Sequence, residues 1–596
     1  MKMCRAACLA FILILPFRSS AQFYQYESKN LRMIYLNPNH AYIVPHALRC
    51  FENSLAFHHR FFDYTPSEKV TILLQDWNDF GSAGTNTIPW NFLNMGMEPF
   101  DYVYETSPTN ERMNWVMNHE IVHLMATDKA SAADHFFRRL FQGKVAATVE
   151  SPFSMYYSYL TTPRWYSPRW YHEGLAVFME TWMAGGIGRA LGGYDEMVFR
   201  TMVRDSSYFY DMVGLESEGT TIDFQIGVNS YLYGARFVSY LALQHGPDKL
   251  RQWYTRGNGS KRYFLDQFKS VYGQALAEEW KKWIAFEQAW QNANMDSLRL
   301  FPLTPYRPIT PVALGSVSRS FYDQQKNRLI SAVNYPGQMA QIVTIDIKTG
   351  ASQKICEVRT PALFYVSSLA YDRQHEKMFY TTNNSQSWRN LNVVELRSGR
   401  QELLMKNCRI GDLAFNQHDA SLWGVQHHNG YSTLVCIEPP YRKRKEVLAL
   451  AYGKDLFDID LSPDGSILTA SLIEINGRQR LIRFQTDSLR KGDSRYDVLY
   501  EFSENAPQNF VFSQDGRYLY GTSYYSGVAN VFRYDFSKKD MDALSNTETG
   551  FFRPVPVSED SLIVFRYTGQ GFLPVMIPNR IQTQIHSIRF LGQAVA

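Results

Sequence analysis

A sequence repeat of roughly 45 residues runs through the second half of this chain. Each copy reads as a strand, a polar turn, a second strand and further alternating strands, as in Phe510-Val-Phe-Ser-Gln-Asp-Gly-Arg-Tyr-Leu-Tyr. A repeat of this length built from four short strands is typical of one blade of a β-propeller. Six copies predict an all-β ring of six blades, and their turns align at Asn327, Glu376, Asp419, Asp464, Asp515 and Asp560.

The turn in the clearest copy, Ser462-Pro-Asp-Gly, extends this prediction. With this spacing it resembles the turns of TolB-like periplasmic propellers, and the resemblance covers residues 315–580. It implies a TolB-like β-propeller over those residues. Because one fold serves many functions, the resemblance implies no particular activity.

The residues before the repeat have a different pattern. Residues 23–105 combine strand-like runs with a helix, whereas apolar residues recur with a helical period from about Asn110 to Asn292. Since 596 residues exceed what one hydrophobic core usually holds, we expect a multidomain chain. A proline-rich linker is predicted at residues 297–314, and residues 581–596 are expected to close the propeller ring or to begin a further segment.

The first 21 residues have the composition of a secretory signal peptide. Lys2 and Arg5 precede an apolar run from Ala6 to Phe17, and small residues lead up to Ala21. We therefore expect a signal peptide over residues 1–21, cleavage near Ala21, and export to the periplasm, the outer envelope or the extracellular space. No later stretch is apolar for long enough to predict a transmembrane helix.

The charge balance gives no reason to expect a nucleic-acid partner. The chain carries 61 Lys and Arg against 57 Asp and Glu, a formal net charge of +4. The predicted signal segment holds three of the basic residues and no acidic one, so the excess nearly vanishes after cleavage. A chain without a basic surplus lacks the electrostatic term that dominates nucleic-acid binding.

Four cysteines follow the signal segment: Cys50, Cys356, Cys408 and Cys436. None belongs to a CxxC pair, so neither a cysteine-ligated zinc site nor a dense disulfide framework is predicted. The sequence is compatible both with disulfides within the second half and with buried free thiols.

The functional prediction depends on residues His119-Glu-Ile-Val-His123. On a helix, positions i and i+4 share a face, so His119 and His123 point the same way and can bind one zinc ion. Glu120 lies on the adjoining edge, where it can act as general base toward a zinc-activated water. Because this short pattern also arises by chance, a third ligand is needed to support it.

A second motif supplies that ligand. Residues Trp170-Tyr-His-Glu-Gly-Leu-Ala-Val-Phe-Met-Glu180 resemble the helix that completes the zinc site in gluzincin metallopeptidases, the superfamily of aminopeptidase N and thermolysin. The resemblance implies that Glu173 is the third metal ligand, which leaves a fourth tetrahedral position for water. Gly174 is expected to let two helices pack closely enough for Glu173 to reach the metal.

The neighbours of Glu173 carry further expectations. Glu180 faces the same side two turns later and either fixes a histidine tautomer or is a surface acid. His172 is expected to point to another side of the helix and to be structural. Residues 128–165, in the long gap between the two motifs, predict an inserted loop or helix beside the cleft.

A third motif begins at Tyr231, in Tyr231-Leu-Tyr-Gly-Ala-Arg-Phe-Val-Ser-Tyr-Leu. It resembles the start of a helix in the same family, and the resemblance implies that Tyr231 stabilises the oxyanion, with Tyr233 as its rival. The similarity to gluzincins covers about residues 30–290. It implies one zinc ion and an α+β thermolysin-like metallopeptidase domain over residues 22–296.

A weaker similarity lies at Met95-Gly-Met-Glu-Pro99. It resembles the strand with which aminopeptidases hold a substrate amine, although its outer positions differ. Glu98 is either that amine anchor or part of an edge strand that pairs with an extended peptide. No G-x-S-x-G elbow, P-loop or dinucleotide-binding fingerprint occurs in the sequence, so other enzymatic hypotheses lack support.

Together these patterns predict an exported zinc-dependent metallopeptidase that hydrolyses peptide bonds of a peptide or protein substrate. The propeller is expected to bind the substrate or an envelope protein partner. The alternative is a non-catalytic envelope binding or scaffold protein that retains the peptidase fold. The complete set of ligands and base weighs against it, because only activity requires Glu120 beside the two histidines.

Overall fold

The computed structural model describes residues 23–36, 38–79, 81–98, 111–184, 188–217, 228–335, 337–358 and 369–595. The predicted signal peptide lies outside the described residues. A part of mixed α/β structure comes first, and a six-bladed β-propeller follows it. The structure therefore confirms the predicted ring of six blades. No helix in the described part of the chain is both long and apolar enough to cross a membrane.

A five-stranded sheet opens the α/β part. Its strands are β1 (Phe23–Glu27), β2 (Leu31–Leu36), β3 (Val70–Gln75), β4 (Ala83–Asn86) and β5 (Phe92–Gly96). The strand order is β1-β2-β3-β5-β4; the inner pairs are parallel and the two outer pairs antiparallel. Strand β3 buries apolar side chains as a central strand must, and β4 forms one edge of the sheet.

Helices make up the rest of the α/β part. Their inner faces meet in a core that contains Trp170, Trp253, Trp280 and Trp283, and burial of such large rings dominates core energetics. The helices are α1 (Val44–Phe62), α2 (Arg112–Asp128), α3 (Ala132–Leu140), α4 (Phe153–Thr161), α5 (Arg169–Met183), α6 (Gly193–Arg204), α7 (Met212–Glu216), α8 (Asn229–His245), α9 (Pro247–Tyr254), α10 (Phe264–Tyr272) and α11 (Leu276–Leu298), with 3₁₀ turns at Pro163–Tyr166 and Arg189–Leu191.

The six blades are antiparallel sheets that follow one another along the chain. Blade one holds β7 (Ser316–Val317), β8 (Phe321–Asp323), β9 (Arg328–Asn334), β10 (Gln341–Asp346) and β11 (Ser352–Glu357). Blade two holds β12 (Leu369–Asp372), β13 (Lys377–Asn383), β14 (Arg389–Glu395) and β15 (Gln401–Met405). Blade three holds β16 (Ile410–Phe415), β17 (Leu422–His428), β18 (Tyr431–Ile437) and β19 (Lys445–Ala449).

The later blades repeat this arrangement. Blade four holds β20 (Asp455–Leu461), β21 (Ile467–Ile473), β22 (Gln479–Gln485) and β23 (Asp497–Glu501), with the short helix α12 (Thr486–Arg490) before its last strand. Blade five holds β24 (Gln508–Phe512), β25 (Tyr518–Ser523), β26 (Asn530–Asp535) and β27 (Asp540–Ala543). Blade six holds β28 (Phe551–Ser558), β29 (Ser561–Thr568) and β30 (Gly571–Pro578) together with β6 (Arg307–Pro308).

Five of the six predicted turn residues lie between the first two strands of their blades, and Asn327 lies between β8 and β9 of blade one. Asp464 accepts hydrogen bonds from the Ser462 hydroxyl at 2.5 Å and from the backbone N–H of Ser466 at 3.1 Å. Gly465 follows at φ +73°, a conformation that glycine adopts without a steric cost. The Ser-x-Asp-Gly pattern thus works as a turn because the aspartate satisfies the backbone and the glycine permits the reversal.

The ring closes through the proline-rich segment. Strand β6 lies within residues 297–314 and pairs with β30 as the outer strand of blade six, so this segment is built into the propeller. The described residues of the C-terminal tail contribute a short helix, α13 (Leu591–Val595). The backbone N–H of Leu591 donates to Glu196 of α6 at 2.6 Å. The tail therefore docks on the α/β part, and the ring is closed by residues 307–308 instead.

The two parts share a packed interface. Buried residues from both, including Met197 of α6 and Phe552 of β28, belong to one hydrophobic cluster. The buried Arg200 donates to the backbone carbonyls of Glu548 at 2.5 Å and Thr549 at 3.2 Å. Hydrophobic and polar contacts together fix the propeller against the α/β part.

Candidate metal centre

Helix α2 carries the two histidines of the first motif. The side chain of Glu111 caps its start and accepts hydrogen bonds from the backbone N–H groups of Met113 and Asn114 at 3.1 and 2.7 Å. His119 and His123 follow one turn apart on the same face, and their Nε2 atoms are 3.2 Å from each other. The two partly exposed imidazoles therefore direct their Nε2 atoms toward the same point.

Glu173 on α5 completes the group. Its Oε2 lies 3.2 Å from Nε2 of His119 and 3.3 Å from Nε2 of His123. Ligands bound tetrahedrally to zinc at about 2.0–2.1 Å are separated from one another by about 3.3–3.4 Å. The triangle formed by the two nitrogens and the carboxylate oxygen therefore has the dimensions of one face of a zinc coordination tetrahedron, and the residues fit the metal.

Burial and contacts with neighbouring side chains shift the pKa values of His119 and Glu173. Burial disfavours protonation of His119, but hydrogen bonds to Glu173 and Glu180 outweigh it and hold the pKa of His119 well above its usual value. Burial likewise disfavours ionisation of Glu173, but the charge of His123 and hydrogen bonds to both histidines hold the pKa of Glu173 well below its usual value. The carboxylate is therefore ionised, as a metal ligand must be.

Glu180 settles one of the alternatives left open by the sequence. Its side chain is fully buried, and its Oε2 lies 2.7 Å from Nδ1 of His119. A carboxylate in this position keeps the proton on Nδ1 when a metal ion replaces the proton on Nε2, so the ring can bind a metal through Nε2. Glu180 is thus a buried partner of His119 and not a surface acid.

Gly174 lets two helices pack closely, as the sequence predicts, and the helix packed against it is α8. A Cβ atom at Gly174 would lie 2.4 Å from the carbonyl carbon of Gly234 on α8. A Cβ atom at Gly234 would lie 2.2 Å from the carbonyl oxygen of Trp170. The two glycines therefore allow α5 and α8 to cross in backbone contact, and this crossing brings Tyr231 beside Glu173.

Glu120 is held at the wall of the cleft by strand β4. The hydroxyl of Thr85 donates to Oε2 of Glu120 at 2.7 Å and lies 2.9 Å from its backbone carbonyl. The sequence contained no signal for this contact, because Thr85 belongs to a short strand 35 residues earlier. Glu120 thereby lines the same cleft as the candidate metal ligands.

The structure distinguishes the two candidate tyrosines. The ring of Tyr231 lies nearly parallel to that of His119, with centroids 6.3 Å apart, and Arg169 and Arg189 each place a guanidinium carbon 5.2 Å from the Tyr231 ring centroid. Burial and the nearby charge of Glu173 raise the pKa of Tyr231, so its phenol is protonated and able to donate. Tyr233 is buried in the aromatic core, where its hydroxyl accepts from the backbone N–H of Tyr210 at 3.3 Å.

A cleft of about 390 Å³ joins these groups. His172 lies at this cleft, contrary to the expectation that it points elsewhere; its ring is 6.3 Å from that of His123. Burial lowers the pKa of His172 to about 4, so it is neutral near pH 7. The lining consists of Ala83, Gly84, Thr85, His119, Glu120, His123, Thr127, Trp165, Ser167, Arg169, His172, Glu173 and Tyr231.

Glu98 lies away from the cleft. It is buried at the interface with the propeller, where its Oε1 is 3.3 Å from a guanidinium nitrogen of Arg409. The strand just before it, β5, lies between β3 and β4, so β4 is the edge strand that borders the cleft. The structure therefore contradicts both alternatives for Glu98, because long-range pairing with Arg409 decides its place.

A second group of metal-binding residue types lies at the start of α1. Nε2 of His46 is 2.9 Å from Glu111 and 3.6 Å from the thiol of Cys50. Both oxygens of Glu111 already accept hydrogen bonds, from the first N–H groups of α2 and from the hydroxyl of Tyr452 at 2.7 Å. This group is accounted for as a helix cap at the domain interface.

Comparisons with known proteins found matches among solved structures alone. No protein-family model and no curated protein matches the chain. Among solved structures, TolB from Acinetobacter baumannii is 16% identical, with 46% of this chain and 65% of that one covered at a TM-score of 0.31. A putative TolB from Agrobacterium tumefaciens is 12% identical, with 44% and 90% covered at 0.33. Oligogalacturonate lyase from Vibrio parahaemolyticus is 10% identical, with 44% and 76% covered at 0.33. Likenesses this distant carry no inference about activity.

Proposed function

We propose that this chain is a zinc-dependent metallopeptidase that hydrolyses peptide bonds. The observation that carries the proposal is the triangle of Nε2 of His119, Nε2 of His123 and Oε2 of Glu173, with sides of 3.2, 3.2 and 3.3 Å. Three protein ligands leave an open position, the arrangement of catalytic rather than structural zinc sites. Zinc in this site supplies Lewis acidity, which polarises a carbonyl group and acidifies water.

The side chains around the triangle have complementary roles. Glu120, held by Thr85, accepts a proton from the attacking water and delivers it to the leaving amine. Tyr231 donates a hydrogen bond to the oxygen that becomes negatively charged when the carbonyl is attacked. Glu180 orients His119 through its Nδ1.

The edge strand favours a peptide as substrate. Strand β4 ends the five-stranded sheet, and three of its residues, Ala83, Gly84 and Thr85, line the cleft. An extended peptide can add to such an edge through main-chain hydrogen bonds, which places a scissile bond beside Glu120. We further propose that the protein is exported, since the first 21 residues have the composition of a signal peptide.

Digestion of a peptide library with and without a chelator tests the proposal. The wild-type protein should cleave, lose activity with the chelator and regain it on addition of zinc. Glu120→Gln should retain one zinc ion per chain while its turnover falls by several orders of magnitude. Glu150→Gln, a change at an exposed glutamate outside the cleft, is the matched control and should cleave normally.

Two results would contradict the proposal. Undiminished cleavage by Glu120→Gln would exclude the assigned base. Stoichiometric zinc without cleavage of any library member, in a folded wild-type protein, would favour the non-catalytic scaffold. Elemental analysis of each preparation separates these cases.

A further inference from the structure

The segment between the two zinc-ligand motifs forms a helical hairpin with an aromatic outer face. Helices α3 and α4 are its two arms. Five rings touch in sequence from one arm to the other, with successive centroid distances of 5.3, 6.2, 4.9 and 6.2 Å. We call this set the aromatic strip; it consists of Phe136, Phe137, Phe141, Tyr157 and Tyr156.

The aromatic strip belongs to a larger exposed apolar surface. Val149 is 93% exposed and Phe153 is 74% exposed, so these side chains protrude from the protein surface. Leu140, Met155 and Tyr156 are each about three-fifths exposed. Contiguous apolar surface of this kind is rare on proteins that contact only water, and it marks a site of interaction.

Ion pairs attach the inner side of the hairpin to the α/β part. Asp134 of α3 is buried and accepts hydrogen bonds from Arg256 at 2.7 and 2.9 Å. Lys144, between the two arms, lies 2.9 Å from Asp128 and 2.5 Å from Glu68. These buried ion pairs fix the hairpin on the α/β part, so the apolar residues are presented on a rigid support.

The charges near the surface are mainly basic. Arg139 on α3 is exposed, and Arg262 places its guanidinium carbon 5.5 Å from the ring centroid of Phe137. Lys261, next to Arg262, is also exposed. Glu150 is the exposed acidic residue among the described residues 129–166. Exposed aromatic and aliphatic side chains flanked by arginine and lysine are the composition of interfacial membrane-binding helices.

We propose that the hairpin docks this protein on the surface of a lipid bilayer that contains anionic headgroups. The protruding Val149, Phe153, Met155 and Tyr156 enter the boundary between headgroups and acyl chains, while Arg139 and Lys261 contact the headgroups. A bilayer suits side chains this exposed, because it accepts protruding apolar groups without a matching rigid pocket.

Docking of the hairpin also sets the orientation of the candidate metal centre. Helix α4 leads directly into the 3₁₀ turn Pro163–Tyr166, whose Trp165 lines the cleft together with Arg169. Because only this short turn separates the hairpin from the cleft, docking holds the cleft near the bilayer, where membrane-associated polypeptides are within reach. The docking itself does not depend on the proposed peptidase activity.

Flotation of the full chain with vesicles tests this proposal. The wild-type protein should float with vesicles of three parts phosphatidylcholine to one part phosphatidylglycerol, and much less with phosphatidylcholine alone. The triple variant Phe153→Gln, Met155→Gln, Tyr156→Gln should bind at least about tenfold less, because it removes the apolar contact. The matched control Leu300→Gln, Met339→Gln, Ile475→Gln changes three equally exposed apolar residues elsewhere and should float like the wild type.

A second measurement does not depend on the triple variant folding. In protein prepared without residues 1–21, which contain Cys4 and Cys8, the remaining Cys50, Cys356, Cys408 and Cys436 are buried. Val149→Cys then adds one exposed thiol that can be labelled selectively with an environment-sensitive dye. The dye emission should shift to the blue on addition of the anionic vesicles. A dye at Met339→Cys should show no shift.

The proposal fails if the wild-type protein does not float with anionic vesicles, or if the triple variant floats as well as the wild type. Equal binding to both vesicle types would exclude the role of anionic headgroups. A wild-type dimer in light scattering that the triple variant converts to a monomer, without vesicle binding, would assign the surface to self-association instead.

Discussion

The carboxylate of Glu180 lies 2.7 Å from Nδ1 of His119, while Oε2 of Glu173 lies 3.2 Å from Nε2 of the same ring. One imidazole is thus held between a buried acid and a candidate metal ligand. The two acids come from one helix, α5, two turns apart. This arrangement couples the orientation of the ring to the packing of α5. For the proposed zinc site it predicts that the affinity depends on Glu180, a residue that does not itself bind the metal.

Glu180→Gln should therefore weaken zinc binding by about 10- to 100-fold, because the ring loses the charged partner that fixes its tautomer. Competition with a chromogenic chelator measures the affinity directly. Glu150→Gln, at an exposed position, should leave the affinity unchanged. An unaltered affinity in a folded Glu180→Gln protein would show that the 2.7 Å contact does not support the metal centre.

Tyr231→Phe should lower kcat by about 10²- to 10³-fold with zinc content unchanged, because one donor to the developing oxyanion is lost. Tyr233→Phe is the matched comparison two residues away. It should retain activity but lower the free energy of unfolding by about 1 kcal/mol, because the backbone N–H of Tyr210 loses its acceptor. Steady-state kinetics and denaturant unfolding of both variants decide the assignment. A larger loss of activity in Tyr233→Phe would reverse it.

His58 should make stability depend on pH in the acid range. Its ring is buried against Asn118, and burial lowers its pKa to about 4 from the ordinary 6.5. Between these pH values the unfolded chain binds one more proton than the folded chain at this residue, so the free energy of unfolding falls as the pH falls. The loss contributed by His58 should reach about 3 kcal/mol at pH 4.

Urea unfolding between pH 7 and pH 4 gives the slope of the free energy of unfolding against pH. The difference between the slopes of His58→Gln and the wild type measures this contribution. Glutamine keeps a polar contact with Asn118 but does not titrate in this range. Arg60→Gln, on the exposed side of the same helix, should retain the wild-type slope. Identical slopes for His58→Gln and wild type would mean that His58 is accessible to protons in the folded state.

Much of the fold was predictable because its signals are local. The turn at Asp464 and Gly465 needs only neighbouring atoms, and its recurrence predicts six blades. The spacing of His119 and His123 likewise follows from the helical period. In contrast, β6 has two residues in a proline-rich segment and carries no periodic signal, so its pairing with β30 could not be foreseen.

The rest of the candidate site depends on contacts between distant residues. Glu180 was left as either a buried partner or a surface acid, because helical spacing gives its face but not what packs against it. His172 shows the same limit, since it lines the cleft although helical spacing placed it on another side of the helix from Glu173. Glu98 contacts Arg409 of the propeller, and a contact between residues 311 positions apart leaves no local sequence pattern.

The same pairing leads to the last prediction. Arg409 is buried and contacts Asp76 at 2.5 and 2.7 Å and Asp79 at 2.5 Å. Burial and the nearby Asp76 raise the pKa of Glu98 well above its usual value. Burial disfavours ionisation of Asp76, but hydrogen bonds led by Arg409 hold its pKa below the usual value. One arginine thus binds both aspartates at the interface of the two parts.

Arg409→Met should lower the free energy of unfolding by about 3–5 kcal/mol, because it leaves buried carboxylates without their partner. Adding Asp76→Asn should recover part of that loss, since it removes one of the orphaned charges. Arg397→Met removes an exposed guanidinium from Glu376 in the propeller and should change stability little, because Lys326 and Arg328 still pair with Glu376. Denaturant unfolding gives the energies, and limited proteolysis shows whether the two parts separate. A small effect of Arg409→Met would mean that apolar packing around Met197 and Phe552 holds the interface without this ion cluster.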